Sequence, residues 1–321
     1  MKIVIAGGGP AALESAVAAR KVSAEAVIDI YSAEKVLPYR RPALSGLLGA
    51  GKAVDAKTFF IKPAAFFEEQ RIGFHGGVPA VAIRGRQLIL ASGEAVDFDK
   101  LILACGSEAI RPPIIGVDRA YTLRSAADME KLNAKLNDGT VRNAVIIGGG
   151  VLGLEIADSL LSRQISTVVF EMSPRLFPGK LTDGDSDALA GRLAKIENLK
   201  IIFNCRAVEI TENSVITADG REFSADIVIC AAGSRPDLRL AESAGIDCAR
   251  GVKVDARMRS SDPDIFAAGD TAEYDGRCFN LYMDAVASGK VAGTNAAGEE
   301  MVFTAKLSPT RLMALGEKLV F

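Results

Sequence analysis

Short apolar runs, separated by glycine-rich turns and by segments of good helix formers, divide the chain into repeated units. Residues 2–6, KIVIA, precede glycines, helix formers from Ala11 to about Arg20, and a second apolar run, VIDIY, at 27–31. This order predicts a βαβ unit with parallel strands. The same order recurs from AVIIG at residue 144, through LGLEIADSLLSR, to STVVFE ending at Glu171. We therefore predict two parallel sheets.

Each βαβ unit is followed by a predicted hairpin and a buried strand. RQLILASGEAVDF at residues 86–98 places two apolar runs around Ser-Gly and leads into KLILACG. VITADGREFSADIVICAAG at 215–233 repeats the plan. Alternating apolar runs around such turns are typical of hairpins. The two halves of the chain are therefore predicted to share one α/β plan.

Composition limits the classes of function. A chain of 321 residues with 49% hydrophobic and 24% charged residues is long enough for two soluble domains. Its net charge of -2 gives no basic surface for nucleic acid, and no apolar run approaches the roughly 20 residues that span a bilayer. The start, MKIVIAGGG, is too short for a signal-peptide core. We predict a cytoplasmic protein with no nucleic-acid or membrane partner.

The five cysteines are far apart in sequence and include no Cys-x-x-Cys pair, so the sequence predicts neither a disulfide framework nor a metal site. They are Cys105, Cys205, Cys230, Cys248 and Cys278.

The glycines after the first strand of each unit predict dinucleotide binding. In Gly-x-Gly-x-x-Gly/Ala loops the first glycine permits a tight turn, the second lets a pyrophosphate approach the backbone, and the third allows the helix to pack on the strand. The phosphate then meets the N–H groups of the helix N-terminus. These roles fall to Gly7, Gly9 and Ala12 in the first loop, next to Pro10 and Ala11, and to Gly148, Gly150 and Gly153 in the second.

An acidic residue about 20 positions after such a loop normally binds the adenosine ribose. Glu171 stands at this place after the second loop, where it would also repel a 2′-phosphate, so we predict NADH in preference to NADPH. Arg175 is close enough in sequence to soften that preference. After the first loop, Ser32 is at the expected place and Glu34 follows two residues later; either could meet the ribose.

With these loops, three further motifs resemble the pyridine nucleotide–disulfide oxidoreductase family of flavoproteins with two dinucleotide-binding domains. ILACGSEAIRPPIIG at 102–116 and IVICAAGSRPD at 227–237 resemble its two interdomain hinges, and DIFAAGDTAEY at 264–274 resembles its second FAD motif. The resemblance runs from residue 1 to about 300.

The resemblance implies two Rossmann-like domains of the three-layer ββα type, with an NAD domain inserted into an FAD domain. We expect the FAD domain at 1–108 plus 233–300, the NAD(P)H domain at 109–232, and the start of a truncated C-terminal interface domain at 301–321. FAD would occupy the first loop and NADH the second, and hydride would pass where the domains meet.

The same resemblance implies further FAD-site residues. Asp270 would bind the flavin ribitol or pyrophosphate, and Arg41 and Ser45 would line the site because PYRRPALS at 38–45 resembles a segment of rubredoxin-, ferredoxin- and nitrite-reductase FAD modules. The remaining expected cofactor-binding positions are Val78, Cys105, Gly106, Gly233, Gly269 and Tyr282.

The branch of the family follows from what surrounds these residues. Disulfide reductases carry cysteines near the first loop, but EKVLPYRRPALSGLL at 34–48 has none, so electrons should leave the flavin directly. Ferredoxin reductases often have a Lys after Leu-Ser that pairs with the helix Glu; here that residue is Gly46, which moves the prediction toward rubredoxin reductases. Glu155, on the helix of the second loop, is the candidate catalytic residue for orienting the nicotinamide carboxamide.

The sequence thus predicts an FAD-dependent NADH reductase that passes electrons to a rubredoxin- or ferredoxin-like protein. A nitrite-reductase-like flavin module and an NADH oxidase stay open as alternatives, as does a nucleotide-binding redox sensor. The sequence leaves the oligomeric state open.

Overall fold

The structure of the protein, a computed structural model, describes residues 1–50, 55–304 and 308–321. The described residues form two compact units. One contains residues 1–41, 55–108, 235–304 and 308, and the other contains 42–50, 109–234 and 309–321. Residues 305–307 of the predicted C-terminal remnant, and 51–54 of the predicted FAD domain, lie outside the described residues.

The first unit is built on a five-stranded parallel sheet in the order β18-β7-β1-β2-β3. Its strands are β1 Lys2–Ala6, β2 Val27–Ser32, β3 Ile72–Gly76, β7 Lys100–Leu103 and β18 Ile265–Ala267. An antiparallel sheet follows β3 along the chain and consists of β4 Ala80–Arg84, β5 Gln87–Leu90 and β6 Ala95–Asp97. A further sheet consists of β17 Val252–Val254, β19 Ala272–Tyr274 and β20 Arg277–Cys278.

Helices of the first unit pack closely because small residues meet between α1, Pro10–Val22, and α8, Tyr282–Ala296. A Cβ on Gly289 would lie 2.4 Å from the Ala11 carbonyl oxygen, and one on Gly293 would lie 2.1 Å from that of Ser15. The shorter helices are α2 Ala56–Phe59, α3 Ala64–Glu69 and α7 Arg239–Ser243. The chain leaves and re-enters this unit through β8, Ser107–Ala109, and β16, Ser234–Pro236, which pair with each other.

The second unit repeats the plan with a four-stranded parallel sheet in the order β11-β10-β9-β15. Its strands are β9 Asn143–Ile147, β10 Ser166–Phe170, β11 Leu199–Ile202 and β15 Ile227–Cys230. The antiparallel sheet contains β12 Ala207–Ile210, β13 Ser214–Thr217 and β14 Glu222–Ser224. The helices are α4 Ala126–Asn137, α5 Val151–Leu161 and α6 Asp183–Leu193, and a C-terminal hairpin contains β21 Arg311–Ala314 and β22 Glu317–Val320.

The two predicted βαβ units and both predicted hairpins are confirmed. The first helix extends beyond the predicted span at both ends, from Pro10 to Val22. Its earlier start follows because proline is well suited to the first helical position. The first strand is a continuous apolar run because its centre is buried: Ile3, Val4 and Ile5 of β1 are 0% exposed. The α/β fold with two Rossmann-like units is therefore the one expected from the sequence.

One segment differs from the expected division of the chain. Residues 42–50, placed by sequence with the first unit, pack with α4 and α5 of the second. Arg163 donates through its Nε to the Leu48 carbonyl oxygen, and Asn133 donates to that of Leu47 at 3.2 Å. Arg163 is itself held by Asn137 at 2.8 Å. These side chains satisfy backbone carbonyls that an irregular segment cannot pair with itself, which is the physical reason for the attachment.

The C-terminal residues also attach to the second unit. Arg192 of α6 forms a two-fold ion pair with Glu317 at 2.7 and 2.9 Å, and the Phe321 ring packs 4.7 Å from that of Phe177. Within the described part of the chain, no helix is both long and apolar enough to cross a membrane.

Candidate dinucleotide sites

The second glycine loop has the geometry that pyrophosphate binding requires. Gly148 has a φ of +116°, and a Cβ there would lie 2.4 Å from the Ala231 carbonyl oxygen. A Cβ on Gly153 would lie 2.0 Å from the Gly148 carbonyl oxygen. In contrast, a Cβ on Gly150 would meet no atom within 4 Å. The outer two glycines are thus required by packing, whereas Gly150 leaves its backbone open to an approaching group.

Glu171 lies beside this loop. One of its carboxylate oxygens accepts a hydrogen bond from the Gly149 N–H at 2.9 Å, and the other accepts one from the Ser173 N–H at 2.8 Å. Two backbone donors therefore fix the carboxylate at the end of β10, next to the start of α5. This is the place at which a ribose hydroxyl is bound in dinucleotide folds.

Arg175 lies in the segment after β10, four residues beyond Glu171, and its side chain binds two acids of α6. Its Nη1 lies 2.9 Å from an Asp183 oxygen and its Nε lies 3.0 Å from an Asp187 oxygen. The hydrogen bond that Arg175 donates to Asp187 and the negative charge of Asp183 raise the pKa of Arg175. The sequence alone suggested that Arg175 could serve a 2′-phosphate, and it carried no signal for these ion pairs.

The first loop reproduces this geometry in the other unit. Gly7 has a φ of +128°, and a Cβ there would lie 2.0 Å from the Ala104 carbonyl oxygen. Gly9 precedes Pro10 at the start of α1, and a Cβ on Gly9 would meet no atom within 4 Å. Ala12, at the third position, is fully buried. The backbone at Gly9 is thus open to an approaching group, as it is at Gly150.

The end of β2 differs from the end of β10. Ser32 is buried, and its hydroxyl donates to the Glu34 carbonyl oxygen at 3.0 Å. A Cβ on Gly8 would lie 2.1 Å from that hydroxyl oxygen, so Ser32 lies against the loop as Glu171 does in the second unit. The Glu34 carboxylate accepts from Tyr39 at 2.8 Å and pairs with Arg41 at 3.0 Å.

Glu34, Tyr39 and Arg41 therefore form a polar cluster directly after β2, and the Val78 N–H donates to the Ser32 carbonyl oxygen at 2.8 Å. Of the two residues that sequence offered for the ribose, Ser32 lies at the glycine loop.

The predicted second FAD motif lies against the first loop. Gly269 has a φ of +68°, and a Cβ there would lie 2.9 Å from the Ala11 Cβ. The next residue, Asp270, accepts a hydrogen bond from the Ser107 hydroxyl at 2.9 Å. The Gly106 N–H donates to the Thr271 hydroxyl at 2.7 Å, and that hydroxyl lies 3.1 Å from the Gly106 carbonyl oxygen. Residues far apart in sequence are thus brought together at the start of α1.

Three other predicted cofactor-binding residues, Cys105, Gly233 and Tyr282, lie in different surroundings. Burial raises the pKa of the Cys105 thiol to about 12, and its Sγ lies 3.5 Å from the Ala6 carbonyl oxygen. Gly233 has a φ of +98°, and its carbonyl oxygen accepts from the Ile110 N–H at 3.0 Å. Tyr282 begins α8, and burial raises the pKa of its phenol.

Ser45 and Glu155 are joined in the second unit, although sequence placed Ser45 at the FAD site. The Ser45 hydroxyl donates to the Glu155 carboxylate at 2.8 Å, and the Ser45 carbonyl oxygen accepts from Ser159 at 2.7 Å. Burial raises the pKa of Glu155, an effect that the Ser45 hydrogen bond opposes and the charge of Asp158 reinforces. Gly46 stands at the position where ferredoxin reductases often have a Lys that pairs with the helix Glu. Here the neutral Ser45 hydroxyl donates to Glu155 instead.

All five cysteines are free thiols. No group of three or more His, Cys, Asp or Glu side chains in the described ranges could hold a metal ion.

Comparison with known proteins agrees with this geometry. The profile of the family described as Pyridine nucleotide-disulphide oxidoreductase matches residues 1–296. A nitric oxide reductase FlRd-NAD(+) reductase of Vibrio vulnificus is 30% identical over 310 residues, which are 94% of this chain and 80% of that protein. A rubredoxin-NAD(+) reductase of Pseudomonas putida is 32% identical over 281 residues, 85% of this chain and 72% of that protein.

Among solved structures, NADH:rubredoxin oxidoreductase from Clostridium acetobutylicum superposes with a TM-score of 0.85 at 28% identity, covering 99% of this chain and 81% of that one. The family profile covers both glycine loops, both hinge motifs and the second FAD motif. The chain therefore belongs to the pyridine nucleotide-disulphide oxidoreductase family.

Proposed function

We propose that this protein is an FAD-dependent NADH reductase that passes electrons to a small electron-transfer protein of the rubredoxin or ferredoxin type. The observation that carries the proposal is the presence of two glycine loops with the same open middle position, one in each unit, of which the second is followed by the fixed carboxylate of Glu171. Relatives that bear reductase names for such carriers support the acceptor class.

In the second unit, the backbone at Gly150 and the N-terminus of α5 would hold the NADH pyrophosphate. The Glu171 carboxylate would accept hydrogen bonds from the ribose hydroxyls. A 2′-phosphate at that point would face the same carboxylate, and like charges at short range repel. The unit would therefore take NADH in preference to NADPH.

In the first unit, Gly9 and the N-terminus of α1 would hold the FAD pyrophosphate. Asp270, oriented by Ser107, would accept from FAD hydroxyls, and the Ser32 hydroxyl would lie nearest the ribose. The open backbone at Gly9 suits the pyrophosphate of FAD, and the Asp270 carboxylate suits its hydroxyl groups. When bound, FAD supplies the chemistry that accepts two electrons as hydride and releases them one at a time.

Glu155 would orient the nicotinamide carboxamide, whose amide group donates hydrogen bonds that a carboxylate accepts. The Ser45 hydroxyl occupies one side of this carboxylate and keeps it in place on α5. Because the Ser45 hydrogen bond favours the charged form of Glu155, it opposes the rise in pKa that burial causes.

Electrons would leave the flavin without a dithiol relay. Cys105 is the cysteine in the first hinge motif, and the pKa of its thiol, about 12, leaves almost no thiolate at neutral pH. The predicted cytoplasmic location stays a prediction, and the free thiols of all five cysteines are compatible with a reducing compartment.

The experiment is a steady-state assay of the flavin-reconstituted protein with NADH and either a rubredoxin, a [2Fe–2S] ferredoxin or oxygen as the acceptor. The proposal predicts carrier reduction at least about tenfold faster than oxygen consumption. Faster turnover with oxygen would establish an NADH oxidase instead. Gly150→Ala serves as the variant impaired in NADH binding, and Gly184→Ala, at an open position on α6, is its matched control.

A further inference from the structure

The end of β10 places Glu171 against the nucleotide-binding glycines, and Arg175 follows four residues later in the chain. A Cβ built on Gly149 would lie 3.0 Å from the Glu171 carboxylate and 3.3 Å from the Leu176 Cδ2. Glu171 and Leu176 therefore both touch the glycine loop, and Arg175 immediately precedes Leu176 in the chain. An arginine next in sequence to a residue that touches the loop is a candidate ligand for a phosphate on the ribose.

The structure directs Arg175 away from that task. Its guanidinium is bound by Asp183 at 2.9 Å and by Asp187 at 3.0 Å, two carboxylates one turn apart on α6. The buried Ser186 hydroxyl donates to the Leu176 carbonyl oxygen at 2.9 Å, which ties the residue after Arg175 to the same helix. The two aspartates together outweigh the positive charge of the arginine.

We propose that Asp183 and Asp187 are specificity-determining residues that reserve Arg175 for α6, so that the site takes nucleotides with a free 2′-hydroxyl. This inference rests on the proposed function of the second unit. A 2′-phosphate would meet the Glu171 carboxylate and could recruit Arg175 only by replacing two ion pairs. Discrimination would thus come from two sources, repulsion by Glu171 and sequestration of the cation.

The test measures the affinity of the full-length protein for ADP-ribose and for 2′-phospho-ADP-ribose by calorimetry, so no turnover is required. The variant is Asp183→Asn/Asp187→Asn, which keeps side-chain size and removes both charges. We expect its affinity for 2′-phospho-ADP-ribose to rise about fivefold, since exposed ion pairs are individually weak. Affinity for ADP-ribose should stay within about twofold of wild type.

Two controls separate the ion pairs from a general loss of negative charge. Asp185→Asn removes an acid from the same turn of α6, where Asp185 contacts Thr182 at 2.6 Å, and should leave discrimination unchanged. Adding Arg175→Gln to the double variant should abolish the gain. Circular dichroism of each variant checks that α6 remains folded.

Each result has one meaning. A double variant that discriminates as wild type does, or a gain that survives Arg175→Gln, overturns the role of Asp183 and Asp187 while leaving the nucleotide site intact. Failure of the wild-type protein to bind ADP-ribose would instead contradict the proposed function itself.

Discussion

The contrast between Gly148 and Gly150 gives a prediction that separates folding from ligand binding. Both are glycines of the second loop, two residues apart, yet only Gly148 has a positive φ and a backbone atom, the Ala231 carbonyl oxygen, in the way of a Cβ. Gly150 has a φ of -72° and a ψ of -177°, an extended conformation open to any residue. Alanine should therefore affect stability at the first position and binding at the second.

The expected magnitudes differ accordingly. At Gly150, replacing the glycine N-cap by alanine costs roughly 0.5–1 kcal/mol and the reduced freedom of the unfolded chain returns about 0.4–1 kcal/mol, so the free energy of unfolding should stay within about 0.5 kcal/mol of wild type. At Gly148, left-handed strain alone costs about 1–3 kcal/mol, and displacement of the Ala231 carbonyl adds to it. The free energy of unfolding of Gly148→Ala should fall by at least about 2 kcal/mol.

Gly150→Ala should fold nearly as stably as wild type but bind the nucleotide more weakly. A Cβ on Gly150 would stand between the pyrophosphate and the backbone, and losing one charge-assisted hydrogen bond is worth about 1.5–3 kcal/mol. The Kd of Gly150→Ala for ADP-ribose should therefore rise about 10- to 100-fold. Urea unfolding and calorimetry measure the two quantities. A Gly150→Ala protein that binds ADP-ribose as wild type does would refute the assignment of this loop to the pyrophosphate.

Three further predictions concern FAD, Glu155 and the segment 42–50. Asp270→Ala should lower the flavin content retained through gel filtration by at least about half, and full retention would remove Asp270 from the FAD site. Ser45→Ala should raise the pKa of Glu155 further, because a hydrogen bond to the charged form is lost. The inflection in the pH profile of flavin reduction by NADH should therefore move to higher pH. An unmoved inflection would contradict the role of Glu155. Arg163→Gln should speed proteolytic cleavage within residues 42–50, since Leu48 loses its donor; an unchanged rate would show that Arg163 does not hold the segment.

The parts of the fold that were predictable from the sequence are those determined by local pattern. The runs at 2–6 and 27–31 are strands because they are apolar and bounded by glycine or polar turns, and their helix begins where Pro10 follows an extended glycine. The glycine loops were predictable for the same reason. Their requirement is local, a turn that only glycine adopts at Gly7 and Gly148.

The remainder depends on contacts between distant residues. The attachment of residues 42–50 to the second unit depends on Arg163 and Asn133, more than 80 positions away, and no periodicity records it. The ion pairs of Arg175 were hidden because Asp183 and Asp187 are ordinary helix residues until the fold brings them to the loop. Ser45 was expected at the FAD site by resemblance, and its bond to Glu155 emerges only in three dimensions.

An anaerobic absorbance titration of the FAD-reconstituted protein with NADH and, separately, with NADPH tests whether the bound flavin accepts hydride from the nicotinamide. The flavin band near 450 nm is expected to bleach completely at about one equivalent of NADH and only at large excess of NADPH. A flavin band that persists with NADH, or a protein that retains no FAD, would contradict the claim that its two glycine loops join a nicotinamide donor to a flavin.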